Sequence, residues 1–423
     1  MSETTTRGLR RRNRARVLKW VMLNPGATRL NLATVTGLSL ATVTNVVGDL
    51  IDDGIIEDSG TVPSQGGRPT TTLSVRPEAA HFIGVDVGEH GVAVEVFDLS
   101  LNRLASSFRY TSARASDPDA IAADIEHCVN EVLTETGVRE SVVGIGLGLP
   151  GIVEHPESSS VDDHGDAMLY AQSIAWDGLE VGTLVSHDIP VFADNGASTL
   201  ALSEHWLGAA RGVDHGIVAL IGRGIGVGII SGGEILRGRS SSAGEWGHTI
   251  VSWGGRPDAT GIRGTLEAYV GGTSIADRWA EAGGDPDENY ELALAQLIEA
   301  APRDQTAAAV LDDTVELLGV GLANLVHLIN PGRIVIGGWA GLALVAHLGD
   351  RIADAARRNS LERFAGQFDL VPSHFGRDGV ALGAALLVVQ EFIDGRAVVG
   401  GRTITAPHQR AGSPRVTGGP SGP

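Results

Sequence analysis

The sequence has a single cysteine in 423 residues, Cys128, which excludes an intramolecular disulfide and any multi-cysteine metal site and fits a reducing compartment. Aromatic residues are scarce at 4% against a hydrophobic total of 43%, so aliphatic side chains must fill a sizeable core. Long apolar runs are missing: the stretch 17–23 is interrupted by Lys19 and stops at Asn24-Pro25, too short for a signal peptide or a membrane span. The expectation is a soluble, cytoplasmic protein without a membrane partner. Positive charge is short too. A formal net charge of −19 argues against nucleic acid as a partner, because phosphate contacts need Lys and Arg. The distribution reverses that argument: residues 1–80 carry ten basic side chains against seven acidic ones, a net +3 that leaves −22 for the rest, so any DNA contact belongs to the head.

The length suits two or three domains. In residues 14–23, Val17, Trp20 and Val21 recur at i, i+3 and i+4, which predicts one apolar face on a short helix ended by Asn24-Pro25-Gly26. Thr28 is placed to cap a second helix reaching Thr36, Gly37 supplies a turn, and Ser39 caps a third helix. There Val43, Val46, Val47 and Leu50 form the apolar stripe and Gly54 the stop. Helix, glycine turn, helix is the arrangement of a helix-turn-helix. Residues 55–75 then alternate around Ser59-Gly60 and Gln65-Gly66-Gly67 as a two-stranded wing. Thr42, Thr44 and Asn45 lie off the stripe of the third helix, as a solvated polar face or as readers of the major groove, where Asn can pair adenine and Thr can meet a phosphate or a thymine methyl. Arg68 in the wing suits a narrow minor groove, and Arg14, within the arginines at 10–16, suits phosphates. Operator DNA is the expected partner of a winged helix over residues 1–78.

From His81 the pattern changes to strands at 82–87, 92–97 and 104–110, a helix at 118–136 and a buried strand at 142–147. A second series follows, with strands at 215–222 and 227–230, helices near 265–282 and 306–328, and a strand at 333–336. Two similar β-rich halves imply an α/β body over residues 79–395 with two lobes around a cleft. Residues 396–423, rich in Gly, Pro and Arg, are expected to form a disordered tail.

Four glycine clusters follow apolar strands, at 84–88, 144–151, 222–228 and 330–338. Glycine loops let a backbone approach a phosphate or a sugar, although a lone one is more often a structural turn. A second feature is Ala243-Gly244-Glu245-Trp246-Gly247-His248 followed by Gly264-Thr265-Leu266-Glu267. Two carboxylates and an imidazole beside glycine turns can hydrogen-bond several hydroxyls of a polyol; they can equally be surface charges and a satisfied core histidine.

The order and spacing of these elements over residues 10–395 resemble the ROK family, which contains repressors and sugar kinases. The resemblance rests on Gly67-Arg68-Pro69 ending the winged helix, the loop at Asp86, Gly148–Gly151, the run from Gly224 through His248, Asn330-Pro331-Gly332 leading to Gly337-Gly338, and Leu382-Gly383-Ala384-Ala385. It implies an actin-like, hexokinase-like two-lobed body and sugar binding by Asn195, Glu245, His248 and Glu267. The departures matter as much. Where kinases of the family have Asp-x-Gly-Gly-Thr for ATP phosphates, Asp86-Val87-Gly88 is followed by Glu89-His90. Where they have a catalytic aspartate in Asn-Asp-Ala-Asn, this chain reads Asn195-Gly196-Ala197-Ser198, with Asp194 as a displaced alternative base. The three cysteines that hold structural zinc in many members are replaced by Asp258, Thr260 and Thr265, so no metal is expected, and Asp258 could orient His248 in the metal's place. Ser173 and Ser198 stand where the family often has asparagine. The expectation is a sugar-responsive DNA-binding transcription regulator, a repressor without kinase activity or cofactor, acting as a homodimer or higher homo-oligomer. The alternatives are an active sugar kinase with an accessory head and a ligand-independent DNA-binding protein.

Overall fold

The computed structural model describes residues 6–63, 69–110, 117–155, 166–171, 174, 176–186, 188–397 and 399. The head is built from α1 (Thr6–Leu23), β1 (Ala27–Thr28), α2 (Arg29–Thr36), α3 (Leu40–Asp52), β2 (Ile56–Val62) and β3 (Thr70–Val75). Thr28 caps α2 through a capping box with Asn31, Gly37 closes that helix at φ +67°, and the Ser39 hydroxyl accepts the Thr42 N–H at the start of α3. The axes of α2 and α3 meet at 118°, within the range of a helix-turn-helix. Val43, Val47 and Leu50 of α3 bury against Val17, Leu18, Val21 and Leu32. Three details differ from the sequence reading. The first helix begins at Thr6, so the arginines at 10–16 are helical. Trp20 is 36% exposed, and Leu18 takes the buried place expected of it. The wing has a third short strand, because β1 pairs with β3 at Ala27 and Leu73.

The first lobe holds β4 (His81–Gly88), β5 (Gly91–Asp98), β6 (Arg103–Tyr110), α4 (Pro118–Thr136) and β7 (Val142–Leu149). A small antiparallel sheet of β8 (Ile152–Glu154), β9 (Met168–Ala171) and β10 (Trp176–Glu180) follows, then β11 (Val191–Asn195) and α5 (Gly196–Trp206). The second lobe holds β12 (His215–Ile221), β13 (Ile225–Ser231), β14 (Glu234–Ile235), α6 (Glu267–Val270), α7 (Gly272–Glu281), α8 (Tyr290–Ala300) and α9 (Gln305–Ile329). It ends with β15 (Arg333–Gly337), α10 (Trp339–Arg358), α11 (Glu362–Ala365), β16 (Asp369–Pro372) and α12 (Gly379–Ile393). The two large sheets run β6-β5-β4-β7-β11 and β14-β13-β12-β15-β16. In each, the first three strands form an antiparallel meander, and the fourth and fifth run parallel to the first. The body is therefore one topology used twice, the actin-like arrangement.

The two halves exchange helices. α5 leaves the first sheet and packs on β12 and β13, while α12 leaves the second and packs on β4 and β7. They touch where they cross, since a Cβ on Gly383 would lie 1.8 Å from the Thr199 carbonyl oxygen; α12 lies as close on β4, where one on Gly84 would lie 1.9 Å from the Ala381 oxygen. The head rests on the far ends of both helices. Val17, Leu18 and Val21 share an apolar core with Phe392, Ile393 and Trp206, the Lys19 ammonium lies 3.8 Å over the Trp206 ring, and Arg211 donates to the Leu23 carbonyl. Burial holds the Lys19 ammonium below its ordinary pKa, against the attraction of Asp394 and Glu234. No single described helix is long and apolar enough to cross a membrane.

Candidate functional site

The start of β13 is where the expected ligand residues meet. Gly244, at φ +111°, brings the segment 243–248 alongside this strand: its carbonyl accepts the Val227 N–H, and a Cβ there would lie 2.0 Å from the Val227 oxygen. Trp246, 3% exposed, anchors the same segment by donating its indole N–H to the Gly321 carbonyl in α9. Glu267, at the first position of α6, accepts the Ile225 N–H through Oε2 at 2.8 Å and leaves Oε1 without a partner among the described residues. Across the cleft, Asn195 Oδ1 lies 3.9 Å from where a Gly226 Cβ would be. Strand, turn and helix start thus bring together Asn195, Glu245, His248 and Glu267 from three parts of the chain.

His248 is oriented by Asp258. Its Nδ1 lies 3.1 Å from Asp258 Oδ2, so this nitrogen carries the proton and Nε2 is the acceptor of the neutral ring. Asp258 Oδ1 takes the Thr260 N–H, the Thr260 hydroxyl and the Ile262 N–H. Burial pushes the Asp258 carboxyl up, but the bonds from Thr260, His248 and Thr265 outweigh it and hold it below the usual carboxylate range. The positions that resemblance connects with zinc therefore close on themselves through hydrogen bonds. Glu245 sits with Oε2 4.0 Å from His248 Nε2, and its carboxylate makes no hydrogen bond among the described residues. Burial raises the carboxyls of both Glu245 and Glu267; a charge on His248 opposes the rise in the first while that of Glu267 adds to it, and the Ile225 N–H and then His248 oppose the rise in the second. Glu267 Oε1 and the Glu245 carboxylate are acceptors, and His248 Nε2 accepts in the neutral ring and donates in the protonated one, so the group fits a ligand that presents several hydroxyls.

Asn195 does more structural work than the sequence suggested. Its Oδ1 caps α5 through the Ala197 N–H at 2.7 Å, and its Nδ2 donates to the Gly151 carbonyl at 2.5 Å. At Gly196, next along, no neighbouring atom comes within 3.5 Å of where a Cβ would stand, so a larger residue would find room and none is present. Asp194 is 2% exposed and held by Arg237 Nη1 at 2.5 Å and the Asn195 N–H at 2.8 Å, which leaves it no free path to a ligand proton. In the head, the Thr42 hydroxyl is bonded to Ser39 and the Thr44 hydroxyl to the Leu40 carbonyl, whereas Asn45 is exposed without a partner among the described residues. Arg14 is paired with Asp53 at 2.8 Å and largely covered; Arg10, Arg11 and Arg16 are exposed. Arg68 and Ser173 lie outside the described residues.

Sequence reasoning missed Arg237, whose role depends on a residue 43 positions away, and the carboxylate of Glu204, buried in α5 and bonded to the loop that leads into α12. A separate hollow of about 580 Å³ lies between α7 and α9, but its arginines are already committed, Arg256 to Glu281 and Arg278 to Thr314, Asp313 and the Tyr269 carbonyl.

A winged helix seated on the crossing helices of a duplicated, two-lobed body with an acceptor-lined cleft defines a DNA-binding protein with an actin-like ligand domain. The chain belongs to the ROK family, whose model matches residues 82–391, and a model for winged helix-turn-helix DNA-binding matches residues 10–57. It is 27% identical over 358 residues to the putative xylose repressor of Caldicellulosiruptor sp., covering 82% of this chain and 86% of that one. It is also 29% identical over 329 residues to the glucokinase of Halalkalibacterium halodurans, covering 73% and 95%. Among solved structures it is similar to a ROK family transcriptional regulator described as a homologue of the Escherichia coli Mlc protein, with 24% identity, a TM-score of 0.73, and coverage of 92% of this chain and 98% of that one. At that identity the likeness concerns the fold.

Proposed function

We propose that this protein is a sugar-responsive transcription regulator, a repressor that binds operator DNA as a homodimer and senses a sugar in the interlobe cleft without phosphorylating it. The observation that carries this reading is the pairing of a retained acceptor set, Glu245, His248 and Glu267, with position 196 as glycine and Asp194 locked to Arg237. General-base catalysis is worth about 10²–10⁴ in rate, and the position where kinases of the family carry the catalytic aspartate is Gly196 here, which has no side chain to supply it. The likeness to a xylose repressor over most of both chains supports the regulator reading; the likeness to a glucokinase is the reason to test the enzyme reading directly. With xylose, glucose and further pentoses and hexoses, ATP consumption is expected to stay at background while at least one sugar raises the melting temperature. Sugar-dependent turnover abolished by Asp194→Asn would establish a kinase instead.

On the DNA side, Asn45 is the free amide on the outward face of α3, and phosphate contacts fall to Arg10, Arg11 and Arg16 because Arg14 is committed to Asp53. Asn45→Ala is expected to cost about 1–3 kcal/mol on the specific duplex and almost nothing on random DNA. Equal losses on both, measured by anisotropy at fixed salt, would contradict base reading. Two heads on a palindromic operator follow from the two-fold logic of such sites.

A further inference from the structure

The β4–β5 turn and the β12–β13 turn are equivalent hairpins of the duplicated body, and they meet tip to tip between the lobes. Glu89, at the tip of the first, reaches into the second: its Oε1 accepts the Arg223 N–H at 2.5 Å, and its Oε2 accepts the indole N–H of Trp339 at 2.8 Å. The receiving surface is shaped around it. A Cβ on Gly222 would lie 2.8 Å from Glu89 Oε1, and Trp339, the first residue of α10, is wedged where a Cβ on Gly272 would lie 2.2 Å from its ring. A backbone N–H in a glycine turn and an indole N–H at a helix start are donors suited to an anion. Two residues on, the N–H of Ile225 is taken by another carboxylate of the chain, Glu267. Asp86 stands behind Glu89, its carboxyl without a hydrogen-bond partner among the described residues and pushed up to about 7 by burial and by the charges of Glu89 and Glu95.

We propose that Glu89 is a tethered substitute for an anionic ligand: it pins the two lobes together at the equivalent hairpins and restricts the cleft to uncharged polyols, excluding phosphorylated sugars and nucleotides. A second anion brought to these donors would have to displace a carboxylate that is already bonded twice and would meet its charge at close range. The restriction on ligand class rests on the reading of the cleft as a sugar site; the pin itself does not.

The test uses the full chain, inorganic pyrophosphate as the anionic probe, and neither sugar nor DNA, so that failure of the regulator reading would leave it untouched. In wild type, the Arg223 amide should be protected from hydrogen exchange and pyrophosphate should leave the melting temperature unchanged. In Glu89→Ala, protection of that amide should fall about tenfold or more, the loss of a hydrogen bond to a charged group, and pyrophosphate should both raise the melting temperature saturably and restore the protection. Glu89→Gln, which keeps the length and one acceptor, guards against a variant that fails to fold and should show intermediate protection without a pyrophosphate response. Unchanged Arg223 protection in Glu89→Ala, or pyrophosphate stabilising wild type as strongly as the variant, would overturn the proposal. An unprotected amide in Glu89→Ala that pyrophosphate does not restore would overturn it too.

Discussion

Replacing Glu267 by alanine is expected to leave operator affinity at its wild-type value and to abolish the change that sugar produces in it. The side chain sits far from the head, at the start of α6, and its free Oε1 is one of three acceptors around β13. If the cleft binds sugar as proposed, removing it leaves a hydroxyl unpaired and frees the Ile225 N–H, so a contact through which the ligand would favour one lobe arrangement is lost. A ligand shifts such an equilibrium only through its differential affinity for the two arrangements, and a realistic coupling is roughly 5–150-fold in operator affinity. Glu245→Ala should behave alike, because its carboxylate faces His248 Nε2 and holds no other part of the described protein. α5, capped by Asn195 beside the cleft, ends at Trp206 under Lys19 of the head, about 16 Å further on for an 11-residue helix, and so spans the distance the proposed effect has to cross. Operator binding by anisotropy with and without xylose and glucose, for wild type and both variants, measures the response. Variants that respond as fully as wild type would place the effector elsewhere.

The second large effect concerns stability. Glu204 is fully buried in α5, yet its carboxylate is satisfied on both oxygens: Oε1 takes the Ser373 hydroxyl at 2.6 Å and the N–H groups of His374 and Phe375 at 2.8 and 3.3 Å, and Oε2 takes the Ala209 N–H at 2.6 Å. Glu204→Ala strands four donors at once. Each unsatisfied buried group costs about 1–3 kcal/mol, partly relieved by water entering the space, so a loss of about 3–5 kcal/mol is expected, at the upper end for single substitutions. Glu204→Gln should cost less, because its carbonyl can still serve the Ser373–Phe375 side while its NH₂ faces the Ala209 N–H. Urea unfolding with an unchanged m-value measures both. A Glu204→Ala variant within about 1 kcal/mol of wild type would show that the network does not hold the loop before α12.

What the sequence made legible follows from how each element meets water. The winged helix was readable because α3 is half-buried, so Val43, Val47 and Leu50 stand out against Thr44 and Asn45, and because Thr28 and Ser39 mark helix starts by their own chemistry. The meander strands were readable as apolar runs broken by glycine. The helices that define the architecture, α5 and α12, were not. Both are buried on almost every side between the two sheets, so no polar face gives them a period, and Leu382-Gly383-Ala384-Ala385 stood out as a motif without revealing a helix crossing. In the site, the types and spacing of Glu245, His248 and Glu267 left a polyol site and plain surface charges both open until the resemblance was added, and the pairing of Asp258 with His248 could be anticipated only because the resemblance puts Asp258 at a zinc-ligand position. The capping duty of Asn195, the lock on Asp194 by Arg237 and the reach of Glu89 to Trp339 could not, since each depends on strands and turns brought together by the fold.

The seating of the head has a consequence for modularity. A winged helix joined to its body by a flexible tether could be cut away or exchanged at will, but here α1 completes an apolar core with the ends of α5 and α12, and Lys19 and Arg211 stitch its edge. The body alone would present Phe392, Ile393 and Trp206 to solvent as a contiguous sticky patch. A chimaera carrying a foreign head would have to inherit the complementary surface of α1 as well as a recognition helix, so operator specificity can be transplanted in this architecture only by recoding the outward face of α3 and leaving the rest of the head in place.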